Sequence, residues 1–301
     1  MVGGVPATTA ELIELLHVVP ADDDLFIGPH LSTHLQRTFG GQVLAQALMA
    51  AYATVRDEQV AHHLGAYFLR PGVADQDIEY VVDRVRDGRT FASRLVIAMQ
   101  DGRVIFWMSA SFHVPEDGLE HSDPLPQPAP LPEECPSLRD VMVERFGASE
   151  LWNEWNALDV RFAGDSGASH QITPRVHSSH LRVWVRTTDA MPDDLRLHQA
   201  VMAYLSDITL LSASVVPHAV NFTSPRLMVR SIDHTMWFHR PFRADQWILY
   251  DQISPTASSS LGYSTGRLFQ NGIMVGSASQ EGLIRVLPET TEISGSDGFS
   301  K

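Results

Sequence analysis

Two apolar helical stretches, each followed by alternating runs, dominate the hydropathy pattern of this chain. Leu195–Leu211 (LRLHQAVMAYLSDITLL) is apolar at helical spacing, and its single carboxylate, Asp207, falls on the face of Ala200, Ala203 and Leu211. A carboxylate among such neighbours either marks the wet end of the helix or is kept for chemistry. An earlier stretch, RTFGGQVLAQALMAAYAT, predicts a small-residue helix from Gln42 to Ala53, preceded by Gly40-Gly41. Runs rich in β-formers follow it over 64–70, 77–86, 90–99 and 103–112, separated at Asp87-Gly88 and Asp101-Gly102 by the dipeptide typical of hairpins. Thr8 and Glu11 form a capping box for a short helix through Leu16. A Pro-rich acidic stretch, Pro115–Pro136, predicts a linker or an extended surface crossing. Beyond it come a short helix over 137–146 and strands over 158–162 and 180–186.

The second half repeats the first. FLRPGVADQDIEY (Phe68–Tyr80) aligns without gaps to FHRPFRADQWILY (Phe238–Tyr250), and the same register carries Asp101-Gly102 onto Asn271-Gly272. Gln46, Ala47, Met49 and Ala50 match Gln199, Ala200, Met202 and Ala203 in the helices. The expected fold class is α+β: a double hotdog, two tandem copies of a central helix wrapped by a long antiparallel sheet. The expected divisions are an N-terminal hotdog domain over 1–114, the Pro-rich linker and short helix over 115–150, and a C-terminal hotdog domain over 151–301 that carries the active site.

A duplicated chain is its own control. Asp207 aligns with Thr54, Ser231 with Ala61 and Gln280 with Ala110, so the second copy carries a carboxylate, a hydroxyl and an amide where the first has a threonine and two alanines. Drift on a solvated surface explains any one of these. Three together, each beside patterned core segments, point to a site in the second half. A carboxylate can take a proton from water that an amide and a hydroxyl hold in line, which suits hydrolysis of an activated acyl group such as a thioester. The oxyanion would need backbone N–H donors, often found at a helix N-terminus.

Composition narrows the alternatives. The 301 residues carry a formal net charge of −14, which argues against non-specific binding to nucleic acid or an anionic membrane, though not against a local basic patch. Arg226, Arg230 and Arg182 are candidates for receiving phosphates; Arg70 and Arg240 recur in both copies, which favours a structural role. With Cys135 alone, no intramolecular disulfide or cysteine metal cluster is possible. His62, His63, His234 and His239 show no metal-ligand spacing, and no cofactor motif is present. Gly262-Tyr263-Ser264-Thr265-Gly266 matches a nucleophile elbow in letters only, since its surroundings read as strand and no histidine follows it. The N-terminus lacks a signal-peptide pattern, no stretch is apolar enough to span a bilayer, and the Gly-Phe-Ser-Lys end is not the Ser-Lys-Leu address. A cytoplasmic protein without membrane insertion is the expectation.

FGGQVLAQAL, YFLRPG, HQAVMAYLSD, SIDHTMWFHRPF and SASQEG together resemble the acyl-CoA thioesterase II family, the double-hotdog thioesterases, from about Leu12 to Arg285. The resemblance implies hydrolysis of fatty acyl-CoA to free fatty acid and CoA without metal or cofactor. It also implies that Asp207, Ser231 and Gln280 orient the attacking water, with Ser231 standing where the family has Thr or Ser. The acyl chain is expected beside the second central helix, against Met202, Leu205 and Trp237, with Gly41 as a further substrate contact. A homodimer or homotetramer is the family expectation. Two other readings stay open: a hotdog hydratase or dehydratase, whose Asp–His motif is not found, and an acyl-CoA-binding regulatory module without turnover.

Overall fold

The computed structural model describes residues 6–31, 33, 35, 37–125, 128–149, 153–167, 179–218, 220, 224 and 226–288. The two chain ends whose targeting signals were considered lie outside these residues. Among the described residues four α-helices, α1 (Thr9–Leu16), α2 (Gly40–Tyr52), α3 (Leu138–Phe146) and α4 (Leu195–Ser206), accompany one antiparallel sheet. Its strands are β1 (Val19–Asp22), β2 (Leu25–Gly28), β3 (Val60–Phe68), β4 (Ile78–Asp87), β5 (Phe91–Gln100), β6 (Arg103–His113), β7 (Leu158–Asp165), β8 (His180–Thr187), β9 (Leu227–Ser231), β10 (Asp233–Phe238), β11 (Ile248–Ser258), β12 (Leu261–Gln270) and β13 (Ile273–Val286).

The strand order is β1-β2-β4-β5-β6-β3-β10-β13-β12-β11-β8-β7, with β9 on β13, so each half repeats the other in mirror order. The halves join where β3 pairs with β10, and Gly65 lies opposite Thr235. The alignment that equates Phe68 with Phe238 equates these two residues as well, so a pseudo-two-fold axis passes between them. Smaller details are also duplicated. Register shifts fall at Ala98/Met99 and again at Leu268/Phe269. Gln100 donates to the carbonyls of Val73 and Gln76, and Gln270 to those of Arg243 and Gln246. Arg70 donates to Val104 O and Arg240 to Met274 O, which is the structural role expected from their recurrence. Asp101 and Gly102 have φ of 47° and 69°, Asn271 and Gly272 52° and 79°; the left-handed pair required by a two-residue hairpin is thus present in both copies.

The central helices α2 and α4 pack against each other under the sheet, buried on nearly every side. Gly41 permits this approach: a Cβ there would stand 2.3 Å from Tyr204 O. Two sequence boundaries shift. α2 begins at Gly40 rather than Gln42, so both glycines lie in its first turn. α4 ends at Ser206, and Asp207 is its C-cap rather than an interior residue. The Ser206 hydroxyl donates to Ala203 O and the Asp207 amide turns to Leu205 O, which closes the helix although the apolar pattern runs on through Leu211.

The Pro-rich segment is an extended crossing over the outer face of the second half. Trp184 Nε1 donates to Pro130 O, Arg240 Nη2 to His121 O, and Leu125 and Ala129 pack on a small cluster of Cys135, Ala163, Leu249 and Phe269. Among the described residues nothing covers the first half in this way, and Val81, Val85 and Phe91 are exposed. No helix among the described residues is long and apolar enough to cross a membrane.

Candidate active site

The end of α4 delivers Asp207 to the inner face of the sheet, where β13 and β9 supply Gln280 and Ser231. Gln280 Nε2 donates to Asp207 Oδ1 at 2.6 Å and lies 2.8 Å from Ser231 Oγ, which stands 3.3 Å from the same carboxylate oxygen. A carboxylate only accepts, so this contact fixes the amide's orientation, with its nitrogen toward Asp207. Asp207 has a side chain only 5 % exposed, and Gln280 is fully buried. The three residues singled out in sequence therefore meet at one point.

The other carboxylate oxygen faces the opposite half of the molecule. A Cβ on Gly40 would stand 2.6 Å from Asp207 Oδ2, which places that oxygen over the first turn of α2. Asp207 Oδ2 and the amides of Gly40 and Gly41 make no hydrogen bond among the described residues, and no side chain caps α2. An unengaged carboxylate oxygen thus stands beside unengaged amide donors at the positive end of a 13-residue helix. Between them a water could lose a proton while a carbonyl oxygen gains negative charge.

Further polar groups continue the site along the inner face. His234, Gln280, Ser264 and Gln252 are all buried on β10, β13, β12 and β11, and Ser264 is directly opposite Gln280. Their counterparts in the first copy are Leu64, Ala110, Arg94 and Val82. The copy-to-copy comparison that found Asp207, Ser231 and Gln280 contains these differences too, so the signal was present and unread. Ser264 is the serine of the rejected elbow motif; it lies within β12, not at a strand-to-helix turn. Tyr250, whose hydroxyl donates to Ser206 O, is held well above its ordinary pKa by burial and by the nearby Asp207 charge.

In the first copy the equivalent position is filled. The fully buried Arg94 donates from Nε to Thr54 Oγ1 at 2.7 Å and from Nη2 to Thr54 O at 2.8 Å, and pairs with Asp87 at 2.5 Å. Its bonds to the Arg86 and Ser93 carbonyls complete the guanidinium's partners.

The expected acyl contacts fare differently. Met202 and Leu205 are buried on α4, and Met202 lies against Gly276 on the sheet. Trp237 is not beside that helix: Met236 points inward, so Trp237 points to the outer face, 38 % exposed and against His63. Gly41 is a helix-packing position as well as an amide donor. A cavity of about 300 Å³ opens one residue past Asp207, lined by apolar Ile208, Leu138, Met142, Trp155, Leu158 and Val160 together with polar groups that include Arg139, Asn156, Asp159 and Thr209. Its Trp155 ring meets Phe39, the residue before Gly40.

Among the phosphate candidates, Arg182 is unsuitable because its Nε is bound to buried Asp251 at 2.6 Å. Arg226 is engaged by the Leu287 carbonyl. Arg230 is exposed and shares a sheet face with Arg285, and its pKa is lowered by burial and by the charges of Arg37 and Arg285. His62 bonds Ser111 and His239 bonds Ser277, and among the described residues no group of three or more His, Cys, Asp and Glu could hold a metal.

Known proteins resemble this chain over most of its length. Residues 153–283 match the family model described as acyl-CoA thioesterase, and residues 30–113 match the acyl-CoA thioesterase N-terminal domain. The chain is 35 % identical to acyl-coenzyme A thioesterase 8 of Homo sapiens, over 92 % of this chain and 90 % of that one. The chain belongs to the acyl-CoA thioesterase family. Acyl-CoA thioesterase 2 of Haemophilus influenzae is 33 % identical, with 91 % and 96 % covered. The crystal structure of acyl-CoA thioesterase II TesB2 from Mycobacterium marinum superposes with a TM-score of 0.77 at 38 % identity, covering 92 % of this thioesterase-family chain and 99 % of its own. A hot dog protein from Alicyclobacillus acidocaldarius shares the fold at 20 % identity, with a TM-score of 0.71.

Proposed function

We infer that this chain hydrolyses fatty acyl-CoA to free fatty acid and CoA, using water activated by Asp207, Gln280 and Ser231. The observation that carries the catalytic assignment is the division of labour at the carboxylate. Oδ1 is held by Gln280 and Ser231, while Oδ2 lies beside Gly40 in the first turn of α2, whose leading amides are unengaged among the described residues. Water bound at Oδ2 gives its proton to the carboxylate as its oxygen bonds to the thioester carbon. The carbonyl oxygen takes up the electron pair and is met by the Gly40 and Gly41 amides and the helix dipole. On collapse the C–S bond breaks and the thiolate leaves, its reference pKa of about 8.5 making strong acid assistance unnecessary. The proton held on Asp207 then passes to sulfur. No covalent acyl-enzyme is required.

The cavity beyond Ile208 adjoins that centre and offers the apolar side chains of Ile208, Leu138, Met142, Trp155, Leu158 and Val160, and we assign the acyl chain to it rather than to the surroundings of Trp237. Arg37, Arg230 and Arg285 are exposed and grouped near Ser231 in a chain of net charge −14, which supports them as the landing place for the CoA phosphates. The exposed aromatics Tyr67 and Trp237 near the pseudo-two-fold axis support self-association as a homodimer or homotetramer through the outer sheet face. A lone buried cysteine accords with a reducing cytoplasm.

Free-thiol release from acyl-CoAs of increasing chain length tests the proposal. Wild type should turn over, and Asp207→Asn should lose about 10²–10⁴ in kcat while melting at the same temperature. An acyl-CoA that binds without thiol release would instead support the binding-module reading. Full activity in the folded mutant would remove Asp207 from the mechanism.

A further inference from the structure

His234 is fully buried, with Nδ1 3.7 Å from Asp207 Oδ1 and Nε2 2.9 Å from Ser206 Oγ. Which ring nitrogen carries the proton follows from the donors around it. Ser206 Oγ lies 2.9 Å from Ala203 O. A carbonyl can only accept, so the one proton of that hydroxyl goes to it. In a continuing helix the Asp207 amide would serve the same carbonyl, but it is directed to Leu205 O, which leaves Ser206 as the donor. Ser206 Oγ must then accept from His234. The ring proton is on Nε2, and the Nδ1 lone pair faces the carboxylate. Nδ1 makes no hydrogen bond among the described residues.

A lone pair beside an ionised carboxylate gains nothing. It disfavours the ionised carboxylate, and so favours the form of Asp207 that has taken the proton of water at Oδ2. We propose that His234, locked by Ser206 as the Nε2–H tautomer, is a positioning residue that stabilises Asp207 in its protonated form during hydrolysis. The proton comes from the attacking water, rests on Asp207 Oδ2, and leaves with the thiolate, while the Nδ1 lone pair, 3.7 Å from Oδ1, acts on the charge of the carboxylate and not on that proton. His234 stays neutral throughout and touches no reacting atom. Its counterpart in the first copy, whose site is filled by Arg94, is the apolar Leu64. The proposal rests on Asp207 being the base.

A purely structural His234 would matter through its bond to Ser206; the proposed role acts through Asp207. Two amide replacements separate them. His234→Asn places an amide oxygen near the position of Nδ1 and drops the Ser206 bond. His234→Gln reaches the position of Nε2 and leaves nothing at Nδ1. Ser206→Ala releases the tautomer lock, so that Nδ1 can carry the proton and turn no lone pair to the carboxylate. Thiol release from an acyl-CoA, with separate kcat and KM, is measured beside the melting temperature. His234→Gln and Ser206→Ala should lower kcat about tenfold or more with KM unchanged. His234→Asn should keep most of kcat despite a lower melting temperature. In an Asp207→Asn background, His234→Gln should cost nothing further. Activities that follow melting temperature, with His234→Asn the worst, would overturn the proposal, as would unchanged kcat in Ser206→Ala. If His234→Gln does not fold, Ser206→Ala and His234→Asn decide. Failure of the underlying reading looks different: wild type releases no thiol, or Asp207→Asn remains fully active.

Discussion

Gly40 shows how far a single missing atom matters at this site. Alanine at a helical position ordinarily stabilises by about 1 kcal/mol relative to glycine. Here its Cβ would stand 2.6 Å from Asp207 Oδ2 and 3.0 Å from the Phe68 ring. Gly40→Ala should therefore cost about tenfold or more in kcat, because the carboxylate must move out of line with the amides. Thiol release and a thermal melt, read together, separate that loss from any effect on folding. That Asp207, Ser231 and Gln280 meet at one point is legible in the sequence at this scale. Asp207, Ser231 and Gln280 were visible because a duplicated chain exposes polar groups that one copy has and the other lacks. His234, Ser264 and Gln252 were readable by the same comparison, yet His234 was weighed only as a metal ligand and Ser264 only as part of a motif. Trp237 was misplaced for a different reason. Which face of β10 it occupies depends on the break at Ile232, whose amide pairs with Glu281 O between β9 and β10, and periodicity alone does not place such a break.

At the scale of elements, Asp251 ties three strands together. Its carboxylate accepts from His180 on β8 at 2.6 Å, from Arg182 on β8 at 2.6 Å and from Arg267 on β12 at 2.7 Å, with a side chain 1 % exposed. Burial alone would raise its pKa, but the hydrogen bonds and charges of those partners outweigh burial and hold it well below the usual carboxylate range. A depressed folded value contributes stability at pH above the unfolded carboxylate value of about 3.9, and that contribution is lost as pH falls below it. Asp251→Asn should destabilise the protein by about 3–5 kcal/mol at neutral pH, leaving buried guanidinium charge uncompensated. The gap to wild type should narrow as denaturation is followed into acid. The alternation along each strand does not announce this cluster, since it depends on the register that sets Asp251 directly opposite Arg182 on β8 and Arg267 on β12. The hairpins at Asp101-Gly102 and Asn271-Gly272 were legible because those dipeptides accept the left-handed backbone that the turn demands. The end of α4 was not legible: Ile208–Leu211 continues the apolar pattern, while the hydrogen bonds of Ser206 and Asp207 close the helix before it.

For the whole molecule, the seam between β3 and β10 makes one sheet of two repeats. It also brings the two contributors to the site face to face: the free amides of α2 come from the first half, and the carboxylate from the second. Neither half alone contains both. In a protein assembled from separate single-repeat chains, the fraction of intact sites would follow protein concentration. Here the partners are joined by covalent chain, so they meet at an effective concentration on the order of millimolar, set by the connecting segment. Turnover per chain should therefore stay constant as the protein is diluted, even through the dissociation of a homodimer, and an assay across a wide concentration series checks this. On the proposed assignment, with Arg94 filling the other position, each chain offers one place for reaction, and duplication makes assembly of the site independent of how much protein is present.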